Sequence, residues 1–375
     1  MNLEEYAAKD LVLKPGGVPV PRGRLCRTPA EVAAAVGDIG PSVIKAQVPT
    51  GKRGKSGGIK MADKPADGEA AARAILGMSI AGNSVTRVLV EERAAIQREF
   101  YAAVLLDVAS RSPLVLFSTE GGMDIEEIAA ERPDAIRRNV VNIERGFDVA
   151  DATEMLSGLA LGPPAAIVAN LLVKLYALFR DNDAELVEIN PLALLHSGAV
   201  VALDCKFVLD DASAGRQPTL AQAASPVKLT ELEERGTEHG LKFIQLDGNV
   251  GVLANGAGLT MTTMDVIDHF GGRPANFLEI GGEAYTTAEV ALDLVLSNPG
   301  VKSLVVNFCG AFARTDVMAD GVVRAWEKLK PSVPAFFSIH GTGEDEAVTL
   351  VRERLGIEPF DLMEDAVKAA VKAAR

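Results

Sequence analysis

"SVIKAQVPTGKRGKSGGIKMA", residues 42–62, decides how the first half of the chain folds. "SVIKAQV" (Ser42–Val48) is a short β-branched run with a lysine, Lys45, inside it, and "GGIKMA" resumes strand character after a loop. From Lys52 to Lys60 the loop places four cations and three glycines in nine residues. The pattern predicts a β-hairpin with a long, basic, glycine-rich tip. A lysine within an apolar strand is costly unless its charge has a partner. Glycines let backbone N–H groups wrap phosphate oxygens while Lys and Arg neutralise them. Taken by itself, the same tip also suits a mobile surface turn.

The basic tip stands out because the chain is acidic, with 51 Asp and Glu against 38 Lys and Arg and a net charge of -13. That balance argues against a surface that coats nucleic acid, so an anion site has to be local. The three cysteines, Cys26, Cys205 and Cys309, lie far apart without C-x-x-C spacing. Neither zinc nor a disulfide framework is expected, and a reducing compartment suits them. "MNLEEYAAKDLVLK" carries acids where a targeting leader carries cations. No apolar run approaches the roughly 20 residues that span a bilayer. The expectation is a cytoplasmic protein with no membrane or nucleic-acid partner.

Outward from the hairpin, "LEEYAAKDLVLK" reads as an opening helix closed by "PGG", and "GEAAARAILGM" as another. "RVLVEE", "FYAAVLLDVA" and "SPLVLFST" read as strands, and 162–182 as a long apolar helix with a proline start. "AELVEINPLALL" and "AVVALDCKFVLDD" read as two strands about the turn "HSG". Residues 212–240 are polar without strand signal and are the expected linker. Beyond them strands and helices alternate, from "NVGVLANGAG" to "EDEAVTLVRERLG", the pattern of a doubly wound parallel sheet. At 375 residues the chain accommodates two domains, with expected bounds of 1–228 and 229–375.

Glu188 and Asn190 in "LVEINPL" are two apart, which puts both side chains on one strand face. With Asp204 of "VALDCK" they offer a hard, oxygen-only set that Mg²⁺ shares with nucleotide phosphates. The same residues also suit a solvated hairpin face. "ANGAGLTM" and "FCGAFARTD" are glycine-rich strand-to-helix turns. In a parallel sheet they fall at the ligand-binding strand ends, with helix N-termini suited to a carboxylate or phosphate. They also suit plain tight connections. The histidines, His196, His239, His269 and His340, show no Ser, Cys or Asp partner, so the chain displays no nucleophile of its own.

Taken in order, "MNLEEYAAKDL", "GKRGKSGGIK", "STEGGMDIEEIA", "LVEINPL", "ALDCK", "NGAGLTMTTMD", "GGRPANFLEIGG" and "VVNFCGAFARTD" resemble the β subunits of ADP- or GDP-forming succinate–CoA ligases along the whole chain. The resemblance implies an ATP-grasp domain followed by a flavodoxin-like CoA-ligase domain. It implies that Lys45, Lys52, Arg53 and Gly54 hold nucleotide phosphates, and that Glu91, Ala94 and Glu99 line the adenosine pocket. Asn190 and Asp204 would hold Mg²⁺. Asn255 and the turn Gly310, Ala311, Phe312 and Ala313 would bind the carboxylate. Glu188 would sit near a phosphohistidine borne by a CoA-binding α subunit, in an αβ or α2β2 assembly. ATP or GTP and CoA would be co-substrates.

The chain departs from the family pattern at several points. Lys52 stands where a glycine is usual, Ala311 replaces Gly, Phe312 a smaller aliphatic and Thr315 a Cys. Glu283 and Ser338 are further changes, and the loop before "RVLVEE" is short. These cluster in the carboxylate domain and suggest malate or a sulfonated short acid as alternatives to succinate. A stand-alone ATP-grasp carboxylate–amine ligase also accounts for Lys45, Glu91, Asn190 and Asp204, but leaves the second domain without a purpose. A nucleotide-sensing scaffold would have no need of intact metal ligands.

Overall fold

The computed structural model describes all residues except Lys52, Val227, Gly282 and Glu283, together with the side chains of Ala284, Tyr285 and Thr286. The chain divides into two compact units, Met1–Val227 and Lys228–Arg375.

In the first unit, a four-stranded antiparallel sheet runs in the order Gly23–Cys26, Val88–Glu92, Ser42–Ala46, Ile59–Ala62. The expected hairpin is its edge, with Lys45 opposite Ile59. Helices Pro29–Ile39 and Pro65–Ile75 cover one face, where Val32, Val36, Ala72 and Ile75 meet Ile44, Ala46, Val88 and Val90. Both helices begin with proline, whose fixed φ suits the first turn, and Thr28 and Glu31 cap the former reciprocally.

The larger sheet runs in the order Ile136–Val140, Ser112–Ser118, Ile96–Asp107, Ala184–Leu195, Lys206–Leu209, Asn2–Leu3, Ala224–Ser225. The apolar helix Ala165–Asp181 lays Val168, Leu172, Leu175 and Phe179 on this sheet's core. The opening helix runs as an α-helical turn, Glu5–Ala8, into a π-helical one, Lys9–Leu13. "AVVALDCKFVLDD" is not one strand but two, Val200–Ala202 and Lys206–Leu209. In the gap, the Leu203 carbonyl turns away from the ladder to accept from the ammonium groups of Lys9 and Lys45.

The expected linker is structured for much of its length. Ala224–Ser225 pairs with the otherwise open edge Asn2–Leu3, a partner too distant in sequence to anticipate. Helix Glu231–Glu238 starts at a capping box between Thr230 and Glu233.

In the second unit, parallel strands run Asn276–Ile280, Val250–Asn255, Ser303–Gly310, Ala335–Gly341, with Phe243–Gln245 antiparallel at one edge. Period-two alternation supplies both faces. Val250, Val252 and Ala254 meet helices Ala257–His269 and Met363–Ala373, the latter beyond the expected elements. Leu253, Leu304 and Val306 meet helices Ala284–Ser297, Thr315–Leu329 and Glu344–Leu355. Numbered by chain order, the parallel strands lie 2-1-3-4, the flavodoxin-like doubly wound order, with its switch point between Val250–Asn255 and Ser303–Gly310. Among the described residues, no helix is long and apolar enough to cross a membrane.

Candidate active site

Lys45 has the partners that its place in an apolar strand demands. Its Nζ lies 2.8 Å from Glu5 Oε1 and 2.6 Å from Glu91 Oε2, and it donates to the Leu203 carbonyl. Lys9 reaches the same three acceptors: Glu5 Oε1 at 2.6 Å, Glu91 Oε1 at 2.7 Å and the Leu203 carbonyl at 2.8 Å. Arg53 closes the group. Its Nη1 is 2.7 Å from Glu5 Oε2, and its Nη2 is 2.6 Å from each Asp204 oxygen. Lys9, Lys45 and Arg53 thus oppose Glu5, Glu91 and Asp204, and all except Asp204 are buried.

Burial alone would raise the Glu5 carboxyl, but the charges of Lys45, Lys9 and Arg53 prevail and hold it well below the usual 4.5. Burial likewise works against the charge of Lys45, and Glu5, Glu91 and Asp204 overcome it, so its value rises. A neutral count of mutually paired ions is the condition under which a buried ionic group is tolerated.

The tip of the hairpin is therefore anchored rather than free along this stretch. The Gly58 N–H donates to the Arg53 carbonyl at 2.9 Å, and the Arg53 guanidinium donates to the Ala46 carbonyl at 3.0 Å. Gly57 has φ +77°, and a Cβ on Gly58 would fall 2.7 Å from Ile80 Cδ1, so this return leg requires glycine. Lys52 lies outside the described residues.

Arg53, Gly54, Glu188, Asn190 and Asp204 line one cleft of about 560 Å³. Asn190 is fastened at its rim: its Oδ1 accepts from Gly122 N–H at 2.7 Å and its Nδ2 donates to the Met123 carbonyl at 2.9 Å. The ladder slips between Ile189 and Leu192, so simple alternation stops at Asn190. Glu188 accepts from the Tyr101 hydroxyl at 3.2 Å. Burial raises its carboxyl above 4.5, Lys206 and Tyr101 offset part of this, and Glu126 and Asp204 add to it.

The remaining expected residues lie elsewhere. Lys45 and Glu91 sit behind Arg53, off the cleft wall, and Ala94 is half-buried just past the strand Val88–Glu92. Glu99 is half-buried opposite Ala193, and a Cβ on Gly122 would fall 2.4 Å from its Oε2, so it and Asn190 meet at one turn. Glu5 and Lys9 were not among the expected site residues. Their i, i+4 spacing was the available signal, but that spacing usually marks an exposed helical pair.

In the second unit, Asn255 clamps the switch point. Its Nδ2 donates to the Cys309 carbonyl at 2.9 Å, and its Oδ1 accepts from the Cys309 N–H at 2.8 Å. The turn after Cys309 is fixed by Thr342, whose N–H donates to the Gly310 carbonyl at 3.0 Å and whose hydroxyl donates to the Ala311 carbonyl at 2.9 Å. Ala311 and Phe312 are exposed, and Phe312 projects fully into solvent. Thr315 and Ser338 are fully buried, and Glu283 lies outside the described residues.

A basic hairpin anchored beside a carboxylate-bearing cleft, followed by a flavodoxin-like unit, defines an ATP-grasp CoA ligase. Residues 2–194 match the family model described as ATP-grasp domain, and residues 253–371 that described as CoA-ligase. The chain is 42% identical to the GDP-forming succinate–CoA ligase subunit beta of Thermus thermophilus over 99% of this chain and 98% of the relative. It is also 42% identical to the ADP-forming subunit beta of Chloroflexus aurantiacus over 100% and 99%. The chain belongs to the succinate–CoA ligase β-subunit family. It is a subunit of a CoA ligase that forms a nucleoside diphosphate. Among solved structures, ATP citrate lyase from Methanothrix soehngenii, in complex with citrate and coenzyme A, shares the fold at 23% identity and TM-score 0.62 over 99% of both chains.

Proposed function

We propose that this chain is the nucleotide-binding subunit of a succinate–CoA ligase and that the cleft at Arg53 takes the nucleotide phosphates. The observation that carries this is the Arg53–Asp204 pair. One guanidinium nitrogen, Nη2, donates to both carboxylate oxygens at 2.6 Å, charge-assisted contacts that phosphate oxygens could take over. Lys45, Arg53 and Gly54, with Lys52, would serve the phosphates, and Glu91, Ala94 and Glu99 the nucleoside side.

Asn190 and Asp204 would hold Mg²⁺. Their oxygens share the cleft, and no group of three or more His, Cys, Asp or Glu gathers as a metal site among the described residues. Two oxygens alone suit an ion that draws its other ligands from phosphates and water. When bound, the ion would neutralise phosphate charge during transfer.

Glu188, with its raised carboxyl, would stand beside a phosphohistidine of the α subunit in an αβ or α2β2 assembly. Asn255 and the turn Gly310–Ala313 would hold the carboxylate. The departures Ala311, Phe312 and Thr315 at this turn support a second reading, in which the acid is malate or a sulfonated short acid. Turnover of the assembled enzyme on a panel of acids, each with ATP and GTP, tests both. Highest kcat/KM with succinate is expected, and a tenfold preference for another acid would replace succinate in this account.

A further inference from the structure

Lys9 is buried, is absent from the cleft wall, and yet shares every acceptor of Lys45: Glu5, Glu91 and the Leu203 carbonyl. Two ammonium groups on one set of acceptors have a consequence for the second of them. If Lys9 were neutral, Glu5, Glu91 and Asp204 would outnumber Lys45 and Arg53, and the buried carboxylates would draw both cations inward. With Lys9 present, Glu5 and Glu91 keep a permanent counter-ion. Lys45 and Arg53 then retain charge for an anion once Arg53 exchanges Asp204 for it.

The Leu203 carbonyl adds a second effect. It lies in the gap between the strands Val200–Ala202 and Lys206–Leu209, directly before Asp204. Lys9 at 2.8 Å pins the peptide that aims Asp204 into the cleft.

From this arrangement we propose that Lys9 is a positioning residue of the nucleotide site: it neutralises the carboxylates behind Lys45 and orients Asp204 without touching ligand. The proposal rests on the cleft being the nucleotide site. The pair Glu5–Lys9 makes the first turns of the chain part of that site's electrostatics, although no atom of Lys9 borders it.

The test is calorimetric binding of Mg²⁺–ADP to the assembled enzyme, with the KM of each substrate measured alongside. Lys9→Met should weaken nucleotide binding at least tenfold and leave the acid and CoA KM values within twofold. Lys9→Met/Glu5→Gln, which removes one charge of each sign, should recover part of the lost binding and leave the share that Lys9 contributes through the Leu203 peptide. A merely structural lysine would lower thermal stability without this KM split. Unchanged nucleotide affinity in folded Lys9→Met overturns the proposal. Should the single variant fail to fold, Lys9→Arg, which keeps the charge and a donor, should bind Mg²⁺–ADP within about threefold of wild type while the double variant binds more weakly, and equal affinity in the two overturns the proposal. Asp204→Ala separates the two claims. If it binds Mg²⁺–ADP as wild type does, the nucleotide-site reading fails; if it binds weakly while Lys9→Met is unchanged, only the role of Lys9 fails.

Discussion

Glu5→Gln removes one charge from the buried cluster while keeping the shape of the side chain. The lost carboxylate contacts Lys9 at 2.6 Å, Lys45 at 2.8 Å and Arg53 at 2.7 Å, leaving three cations to share Glu91 and Asp204. At an effective dielectric of about 20, each contact is worth about 6 kcal/mol of attraction, most of it offset by desolvation. Breaking a buried ionic arrangement by removing one partner costs about 3–5 kcal/mol. For a unit of this size that corresponds to a Tm drop on the order of 10 °C.

The pH dependence of this loss has a definite sign. Glu5 lies well below 4.5 in the folded protein, so between its folded and unfolded values the unfolded chain binds the extra proton and stability rises with pH. Its contribution is complete above about pH 4.5 and is lost as pH falls through the folded value. Urea unfolding followed by circular dichroism, from pH 8 down to the lowest pH at which wild type is folded, measures the gap between the two proteins. A constant gap above pH 5 that narrows below pH 4.5 is expected. A gap under about 1 kcal/mol at pH 7, or one that widens as pH falls below 4.5, would refute the reasoning.

Other expectations concern the second unit and the thiols. Asn255→Ala removes the two hydrogen bonds that clamp Cys309, at a cost of about 1 kcal/mol in urea unfolding because water can replace exposed partners. In the assembled enzyme it should raise the KM of the acid more than that of the nucleotide, and equal changes would count against Asn255 as a carboxylate residue. Gly341→Ala places a Cβ 2.0 Å from the Gly310 carbonyl oxygen at φ +100°, so it should cost at least about 2 kcal/mol and displace the Gly310 turn. A fully stable, fully active variant would contradict that geometry. At pH 8 a thiol reagent should modify exposed Cys309 quickly. Burial, with Glu31 adding, pushes the Cys26 thiol up to about 11, and burial raises Cys205 further, so both should react only on unfolding.

The extent to which sequence reveals this molecule differs between its parts. The second unit was legible because a buried parallel sheet leaves uninterrupted apolar runs such as "VGVLA", and helices between them carry their own period. Lys45 was legible as a cation out of place in an apolar strand. The strand break at 203–205 was not, because it depends on Lys9 and Lys45 arriving from other elements to take the Leu203 carbonyl. Glu5 and Lys9 were hidden for a related reason. Glu and Lys four apart look like an exposed helical pair, and only the sheet carrying Glu91 and Lys45 encloses them. The pairing of Glu91 with these lysines is likewise set by strand pairing that "RVLVEE" alone does not reveal.

The central claim is that this chain supplies the nucleotide site of a CoA ligase forming a nucleoside diphosphate. It is tested most directly by co-purifying the chain with its α subunit and following thioester and nucleotide products together for wild type and Asp204→Ala. The account predicts one nucleoside diphosphate per succinyl thioester in wild type and loss of both in the variant. Nucleoside monophosphate as the product, or unchanged turnover in Asp204→Ala, would contradict it.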